Sequence, residues 1–444
     1  MTALPARRLK ALAIAACLTA MLGLAGCVRP AGDPPLGGAD LGLLQDAMRQ
    51  VQQSYVVPVK NDQLVDGALK GMLGRLDPHS DYMTEREYHE LIATTSGQFG
   101  GVGIEISVEE GVPQVISAIE GTPAATAGIE PGDRIVKADG QPIVGMDIGD
   151  VVRRLRGSPG TRVVLTIARA NQPIFDLPIT RAVIRVDSVK SALQAGRIGY
   201  VRVSAFDENT PAELRAAIFR MRQAAGGNFA GFVLDLRNDA GGLLDAAVEI
   251  AGDFLDSGTV VTTKGRESDE NRVYEAAPNG DLIRGTPMVV LINGASASAS
   301  EIVAGALQDH HRAVVLGTHS FGKGSVQSII PIEGHGALRL TTALYYTPSG
   351  RSIQGHGITP DRVVPLPKDE QVANAVVTYE KDLFGTLKPT GALAPKNASV
   401  PEGRSRGITG EADHPINPKI IGTSRDAQLK AALAVLGSRQ AAAQ

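Results

Sequence analysis

Two short segments carry residue types that could form a hydrolytic pair. The first runs Asn293-Gly-Ala-Ser-Ala-Ser298-Ala-Ser-Glu301 and opens an apolar, helix-like stretch. The second is Ser320-Phe-Gly-Lys323-Gly-Ser-Val-Gln327, with its lysine between glycines 25 residues after Ser298. A serine hydroxyl is a poor nucleophile until a base removes its proton. A lysine can be that base only as a neutral amine, so its ordinary pKa of about 10.4 must fall by several units. Desolvation is the lever, and Lys323 has apolar neighbours and no carboxylate beside it in sequence.

Each half also has an ordinary explanation. Ser298-Ala-Ser-Glu301 is a capping box, with Ser as N-cap and Glu at N3. Ser296 and Ser300 compete with Ser298 by composition, and a lysine in a glycine-rich loop is commonly just solvated. Gly317-Thr-His-Ser-Phe-Gly322-Lys323-Gly324 nearly fits a phosphate-binding loop, but a glycine stands where the Mg²⁺-binding Ser/Thr belongs. A histidine-based triad, or a metal, would draw on His310, His311 or His319.

The elements that must position these residues follow from periodicity. From residue 41 to about 92, apolar residues recur at helical steps, interrupted at Asp77-Pro78-His79-Ser80. Short apolar runs at 198–205, 232–236, 288–292 and 313–316 read as buried strands, with further strand at 337–346. Helical stretches at 211–225, 243–255 and 300–308 alternate with them, which predicts an α/β core. Composition predicts poor order across 390–424, then a short amphipathic piece at 426–436.

The N-terminus reads as a leader. Arg7, Arg8 and Lys10 precede an apolar run at 11–24 that ends in Leu24-Ala-Gly-Cys27, a lipobox-like site for lipidation at Cys27. An ordinary cleaved signal peptide with an incidental cysteine is the alternative. Removing 1–26 moves the formal charge from −3 to −6 and leaves Cys27 as the sole cysteine, so no internal disulfide is expected. That charge gives no reason to expect nucleic acid as a partner. Residues 28–39, rich in Pro and Gly, read as a tether.

Between 97 and 182 the chain turns β-rich and carries two segments that resemble a PDZ domain. Phe99-Gly-Gly101-Val-Gly103-Ile104 matches the carboxylate-binding loop, where N–H groups of Val102, Gly103 and Ile104 would converge on a chain-terminal carboxylate. Gly121-Thr-Pro-Ala124-Ala-Thr-Ala127-Gly128-Ile-Glu-Pro-Gly132-Asp133 matches the conserved stretch of bacterial PDZ domains. A helix at 147–156 and a strand at 161–168 follow. Arg156 ends that helix; it would meet the helix-terminal carbonyls or serve as a regulatory contact.

With Leu234-Asp-Leu-Arg237 added, residues 41–365 resemble the carboxyl-terminal processing (tail-specific) proteases, serine peptidases with a PDZ domain before a Ser-Lys core. The resemblance implies an α/β protease core of crotonase/Clp-protease-like β-α units, an inserted PDZ domain and an N-terminal helical segment. It makes Ser298 the nucleophile, Lys323 the general base and Gln327 the residue that orients the lysine. The oxyanion would meet the Ala299 N–H and one from Gly241. The family's Asn-x-Pro-Gly-Gly is here Asn238-Asp239-Ala240-Gly241-Gly242, which leaves Gly241 and Gly242 both open.

The expected division is a leader over 1–26, a tether over 27–40, a helical region over 41–96, and the PDZ domain over 97–182. The peptidase core follows over 183–368, completed by parts of 41–96, then a helical, partly disordered tail over 369–444. The family needs no metal or other cofactor. Expected partners are proteins with exposed apolar C-termini, a membrane through Cys27, a second copy through the N- and C-terminal helices, and an adaptor protein. The expected location is the periplasmic side of a bacterial envelope. A catalytically silent PDZ scaffold is the competing class.

Overall fold

The structure, a computed structural model, describes residues 37–388 and 414–442 apart from 110, 269–270, 279, 373–374 and 376. The leader, Cys27, most of the tether and residues 390–413 of the tail therefore lie outside the described residues. The chain divides into two units, Met1–Ala68 and Leu69–Gln444. Among the described residues no helix is long and apolar enough to cross a membrane.

The described part of the first unit is helical. Gly38–Ser54 starts with the Asp40 carboxylate accepting the Gly37 N–H at 3.0 Å and contains no buried residue. The Asn61–Leu73 helix begins in this unit. Leu41, Leu43, Leu44, Val56 and Val57 are exposed.

The second unit is built around a six-stranded sheet in the order Val189–Gln194, Ile198–Val203, Gly231–Asp235, Met288–Ile292, Val314–Gly317, Arg362–Val363. Only the first pairing is antiparallel. Every residue of Gly231–Asp235 and Met288–Ile292 is buried. Such runs carry apolar side chains on both faces because helices cover both. Thr210–Ala224, Leu244–Gly252 and Ala299–Asp309 build the larger core on one face. On the other, Ala427–Ala442 contributes Leu429, Ala432, Val435 and Leu436.

A five-stranded antiparallel sheet adjoins it, joining Asp81–Met83, Gly336–Tyr346, Thr259–Gly265 and Arg272–Glu275, with Ser325–Ile332 paired to Gly336–Tyr346. Only 337–346 of this sheet was expected. Ser325–Ile332 alternates without one clean apolar face and is mostly half-buried, so its hydropathy pattern is weak.

The PDZ domain is a six-stranded antiparallel sheet whose apolar residues form a separate core with Val151 and Leu155 of the Ile148–Leu155 helix. Ile104–Glu109 lies at the edge of that sheet, paired only with Val112–Ala118. A two-stranded ribbon, Gln98–Gly101 with Ala182–Arg185, closes the two ends of the domain together. At its base Thr95 O accepts the Glu208 N–H at 3.0 Å, and the Asn209 amide donates to Ser96 O at 2.8 Å.

The expectation of poor order over 390–424 is corrected for 414–424. The Val372 N–H donates to Pro415 O, the Asn417 N–H donates to Glu370 O, and Ile416 is fully buried. The cause is a charged cluster that composition does not reveal. The fully buried Arg237 guanidinium reaches Asp235 and Asp426, each at 2.6 Å, and Gln428 at 3.0 Å. Asp426 stands just before the C-terminal helix, so the cluster ties that helix to the Leu234-Asp-Leu-Arg237 segment.

Removing one member leaves the others charged, buried and unmatched, which costs about 3–5 kcal/mol. Arg237→Ala should lower the unfolding free energy by that amount in a urea titration, and Asp426→Ala should do nearly the same.

Candidate active site

Ser298 stands where Met288–Ile292 hands the chain to the Ala299–Asp309 helix, with φ 56° and ψ −112°. A non-glycine residue holds such a conformation only when its surroundings fix it. Three bonds do so. The Ser298 N–H donates to Glu301 Oε2 at 2.8 Å, the Ala297 N–H to Asp239 O at 2.9 Å, and the Glu301 N–H to Ser298 O at 2.8 Å. The acidic half of the capping box is thus present, and Ser298 is both helix cap and buried turn residue. Its side chain is in hydrogen-bonding contact with the Tyr345 phenol, whose pKa burial drives far up.

The neighbouring serines are engaged elsewhere. Ser296 Oγ donates to Leu236 O at 2.7 Å and Ser300 Oγ to Asp239 O at 3.0 Å, and both residues are fully buried.

Glu301 connects the two halves of the site. Its carboxylate is fully buried and also accepts Ser320 Oγ–H at 2.5 Å, the Gly322 N–H at 2.7 Å and the Lys323 N–H at 2.9 Å. The backbones of Ser298 and Lys323 therefore meet on one oxygen. This arrangement also removes the phosphate-loop alternative. Gly322 and Lys323 give their N–H groups to a carboxylate, and the loop leads into the strand Ser325–Ile332, not a helix. Burial pushes the Glu301 carboxyl up to about 7, although its four donors favour the charged form.

Lys323 is largely buried, and burial holds its amine below the ordinary value, helped by the Arg339 charge. Glu380, Glu301 and Asp77 pull the other way. Gln327 is fixed through its amide nitrogen, which donates to Ser325 Oγ at 2.9 Å and Thr341 Oγ1 at 3.2 Å. Its amide oxygen is then the atom suited to accept from an amine. Thr341 Oγ1 in turn donates to Asp77 Oδ1 at 3.1 Å, which brings the helix-breaking turn at 77–80 to the lysine strand. A second chain runs from Glu380 through Gln354, whose Oε1 accepts the Gly324 N–H at 2.9 Å.

Ala299 follows Ser298 as the first residue of its helix and is fully buried. Gly241 packs directly on the serine turn: a Cβ there would lie 2.9 Å from Ala299 N and 3.0 Å from Ser298 Cβ. Gly242 instead backs onto Phe206 O. Gly241, at φ 96°, is thus the glycine beside the nucleophile, and its N–H donates to Asp239 Oδ1 at 2.8 Å.

His310 and His311 lie apart from this cluster, whereas His79 Nε2 is 2.7 Å from Glu380 Oε2. His310 and His311 follow the far end of the 11-residue helix that Ser298 caps, about 16 Å along its axis. His310 bonds Thr259 O, and the His319 ring is tilted against Tyr379, 51° between planes. Among the described residues no group of three or more His, Cys, Asp or Glu side chains is arranged to hold a metal ion.

In the PDZ domain Val102 is buried, Gly103 has φ 82°, and Ile104 opens the edge strand. A Cβ at Gly103 would meet Thr122 at 2.3 Å, so no other residue fits that turn. Arg156 is the C-cap residue of its helix, its N–H donating to Val152 O at 2.9 Å, but the terminal carbonyls are met by another arginine. Arg181 meets the Arg154 and Leu155 carbonyls at 3.0 Å, while the Arg156 guanidinium lies over the Phe99 ring at 4.2 Å.

Sequence reasoning missed Tyr345, Ser320, Asp239, Gln354 and Glu380 as members of this neighbourhood, and placed Glu301 only as a cap. Glu301 had a signal: every other residue of its helix from Ala299 through Leu307 is small or apolar.

A buried serine turn, a desolvated lysine and the Gly241 and Ala299 backbones beside the serine are the parts of a serine hydrolase, in a chain that also carries a PDZ fold. Residues 197–364 match the model of peptidase family S41, residues 114–169 that of a PDZ domain, and residues 33–87 that of the activating protease CtpB N-terminal domain. The chain is 47% identical over 347 residues to the carboxy-terminal-processing protease of Bartonella bacilliformis, covering 77% of this chain and 79% of that one. It is 33% identical over 353 residues to the carboxy-terminal processing protease CtpA of Bacillus subtilis, covering 79% and 75%. Among solved structures it resembles the photosystem II D1 C-terminal processing protease, with 30% identity, a TM-score of 0.44 and coverage of 74% and 94%. The chain belongs to the carboxy-terminal-processing proteases of peptidase family S41, and is a serine-type peptidase with a PDZ domain.

Glu301→Gln replaces one acceptor oxygen by an N–H₂ group that must face donors. A displacement of about 1 Å at such a site costs roughly 10²-fold in rate. We expect a kcat loss of that order with the fold retained. An acid whose pKa is raised on folding makes stability fall as pH rises, here between about 4.5 and 7. Thermal unfolding at pH 5 and pH 8 should therefore differ less in Glu301→Gln than in wild type.

Proposed function

We propose that this peptidase captures free, apolar C-termini of envelope proteins through its PDZ domain and cleaves them at a Ser298/Lys323 dyad by way of an acyl-enzyme. The observation that carries the dyad is the Glu301 carboxylate, which binds the Ser298 and Lys323 N–H groups on one oxygen while the lysine amine is desolvated.

Neutral Lys323 takes the Ser298 proton as Oγ bonds to the scissile carbonyl carbon. The carbonyl π electrons move to oxygen, where the Ala299 and Gly241 N–H groups stabilise them. Collapse expels the amine, which receives the proton from the lysine. Water, activated by the same base, then hydrolyses the ester. Gln327 holds the amine without adding a charge that would raise its pKa. In the PDZ domain the unpaired edge of Ile104–Glu109 suits β-strand addition by a peptide, and N–H groups of Val102, Gly103 and Ile104 would bind its carboxylate. Arg156, stacked on Phe99 beside that loop, is the candidate for coupling peptide capture to the catalytic site.

The reading extends to location. Cleavage before Cys27 and acylation there would tether the enzyme to a membrane on the periplasmic side, since each buried methylene contributes about 0.8 kcal/mol. A second copy would use the exposed apolar residues of the Gly38–Ser54 helix, because the C-terminal helix packs its own apolar face on the core sheet. An adaptor protein could present substrates to the PDZ domain.

Ser298→Ala and Lys323→Ala should each lower kcat/KM by roughly 10³-fold or more. Lys323→Arg should be as poor, because guanidinium is not deprotonated in proteins. In wild type, kcat/KM should rise with pH through a pKa below 10.5, as the desolvated amine loses its proton. A protein substrate with an unstructured apolar tail should be cut in the free-acid form. Its C-terminal amide should raise KM by tenfold or more, and equal rates for the two would remove the carboxylate-capture role.

A further inference from the structure

Asp239 is a buried acid beside the serine turn whose side chain the mechanism leaves unused. It is fully buried, and its main chain is locked to the serine turn: its carbonyl oxygen accepts the Ala297 N–H at 2.9 Å and Ser300 Oγ–H at 3.0 Å. Its side chain is less fully satisfied. Oδ1 accepts the Gly241 N–H at 2.8 Å, whereas Oδ2 is buried with no hydrogen-bond partner. The Arg202 guanidinium acts on it electrostatically, and Arg202 Nη1 is likewise buried and without a partner. A buried carboxyl group with an idle oxygen is costly, and such groups gather where a site is tuned for function.

The Gly241 N–H is the donor assigned above to the oxyanion, and an oxyanion hole works only if its donors point at the developing charge. Here that donor is engaged by a carboxyl group two residues away. If the carboxyl were ionised, a second negative charge would also stand beside the substrate oxygen in a poorly solvated site, and like charges there oppose each other strongly. We propose that Asp239 gates the oxyanion hole: its carboxyl group holds the Gly241 N–H in the resting arrangement, and must be neutral and release that N–H when charge develops on the substrate carbonyl oxygen. The inference rests on Gly241 being an oxyanion donor. Asp239 is a positioning residue, acting through Gly241 without bonding to substrate.

The surroundings are consistent with a neutral form in the working range. Burial pushes Asp239 up to about 8, opposed by the Gly241 N–H, the Ser300 hydroxyl of the Ala299–Asp309 helix and Arg202 of Ile198–Val203; Asp235 of Gly231–Asp235 adds to the rise. An acid with a raised pKa is protonated below that value and charged above it. The gate therefore closes as pH rises, opposite in sign to the lysine, which gains competence with pH.

The test is the pH dependence of kcat/KM from pH 6 to 10 on a fluorogenic peptide with a free apolar C-terminus, for wild type, Asp239→Asn and Ser298→Ala. Wild type should carry a loss that approaches tenfold per pH unit above roughly 8, superimposed on the rise from lysine deprotonation. Asp239→Asn keeps an acceptor for Gly241 but cannot ionise. It should retain the rising limb, lose the fall, and hold KM within about twofold, since the oxyanion forms only in the transition state. Should Asp239→Asn fail to fold, as judged by thermal unfolding, Asp239→Ala is measured for the same missing fall. Coincident profiles of wild type and the folded variant, with Ser298→Ala inactive, overturn the gate alone. Full activity in Ser298→Ala overturns the nucleophile assignment and the gate with it.

Discussion

One carboxylate organises this enzyme. Glu301 is a single residue on an apolar helix, yet it receives donors from the turn before that helix and from a loop 19 to 22 residues later. Without it, four buried donors would have no acceptor, and each would cost about 1–3 kcal/mol. The serine turn would lose a bond that sustains its positive φ. The lysine loop, which has three glycines within Gly317–Gly324 and little intrinsic preference, would lose its register against the serine. Glu301 contributes here through geometry more than through charge. Its burial pushes it toward the neutral form, which limits how far it can raise the pKa of the neighbouring amine.

The glycine turn beside Ser298 is held by a second, independent set of contacts. Asn238 and Asn293 exchange side-chain and backbone bonds at 2.7 and 3.0 Å, linking the ends of two adjacent parallel strands. The Asn238 amide also donates to Ile416 O at 2.7 Å, so the returning C-terminal chain braces the turn from outside. The Arg237 cluster makes that return obligatory. The turn beside Ser298 is therefore braced by residues more than a hundred positions beyond that serine, through hydrogen bonds and ion pairs with definite geometry.

Much of this was legible because the core strands are continuous apolar runs and the helices between them are periodic. Met288–Ile292 lies where the hydropathy placed a strand, and the three core helices differ from expectation by a few residues at their ends. The serine and lysine segments could be singled out because small residues and glycines cluster around them. What stayed hidden was pairwise. Arg237, Asp235 and Asp426 each look like ordinary charged residues, and 189 positions separate the guanidinium from its more distant partner. Residues 414–424 looked unstructured for the same reason. Of the two roles open to Arg156, contact with the helix-terminal carbonyls falls to Arg181, which sits beyond the domain's last strand in sequence. Composition reports what a segment could bury by itself, not which buried charge it will meet.

The PDZ domain enters and leaves the core at a place that matters to the site. Gly97 packs so tightly on Asp207 and Asn209 that a Cβ would approach them to 2.7–2.8 Å, and the Ser96 and Thr95 carbonyls are bonded to Asn209 and Glu208. The next residue back, Phe206, grips the oxyanion turn on both sides: its N–H donates to Gly241 O at 3.0 Å and its carbonyl accepts the Leu243 N–H at 2.8 Å. At the other end of the ribbon Gly100 meets Gly157, one residue from the Arg156–Phe99 stack. A rotation of the PDZ domain about this ribbon would act first on the Asp207–Asn209 segment, and the tight packing at Gly97 leaves little slack to absorb it. The adjoining Phe206 pairing would carry the displacement to Gly241, the glycine packed on Ser298. The PDZ ribbon and the Ser298 turn thus bear on the same glycine segment from its two sides.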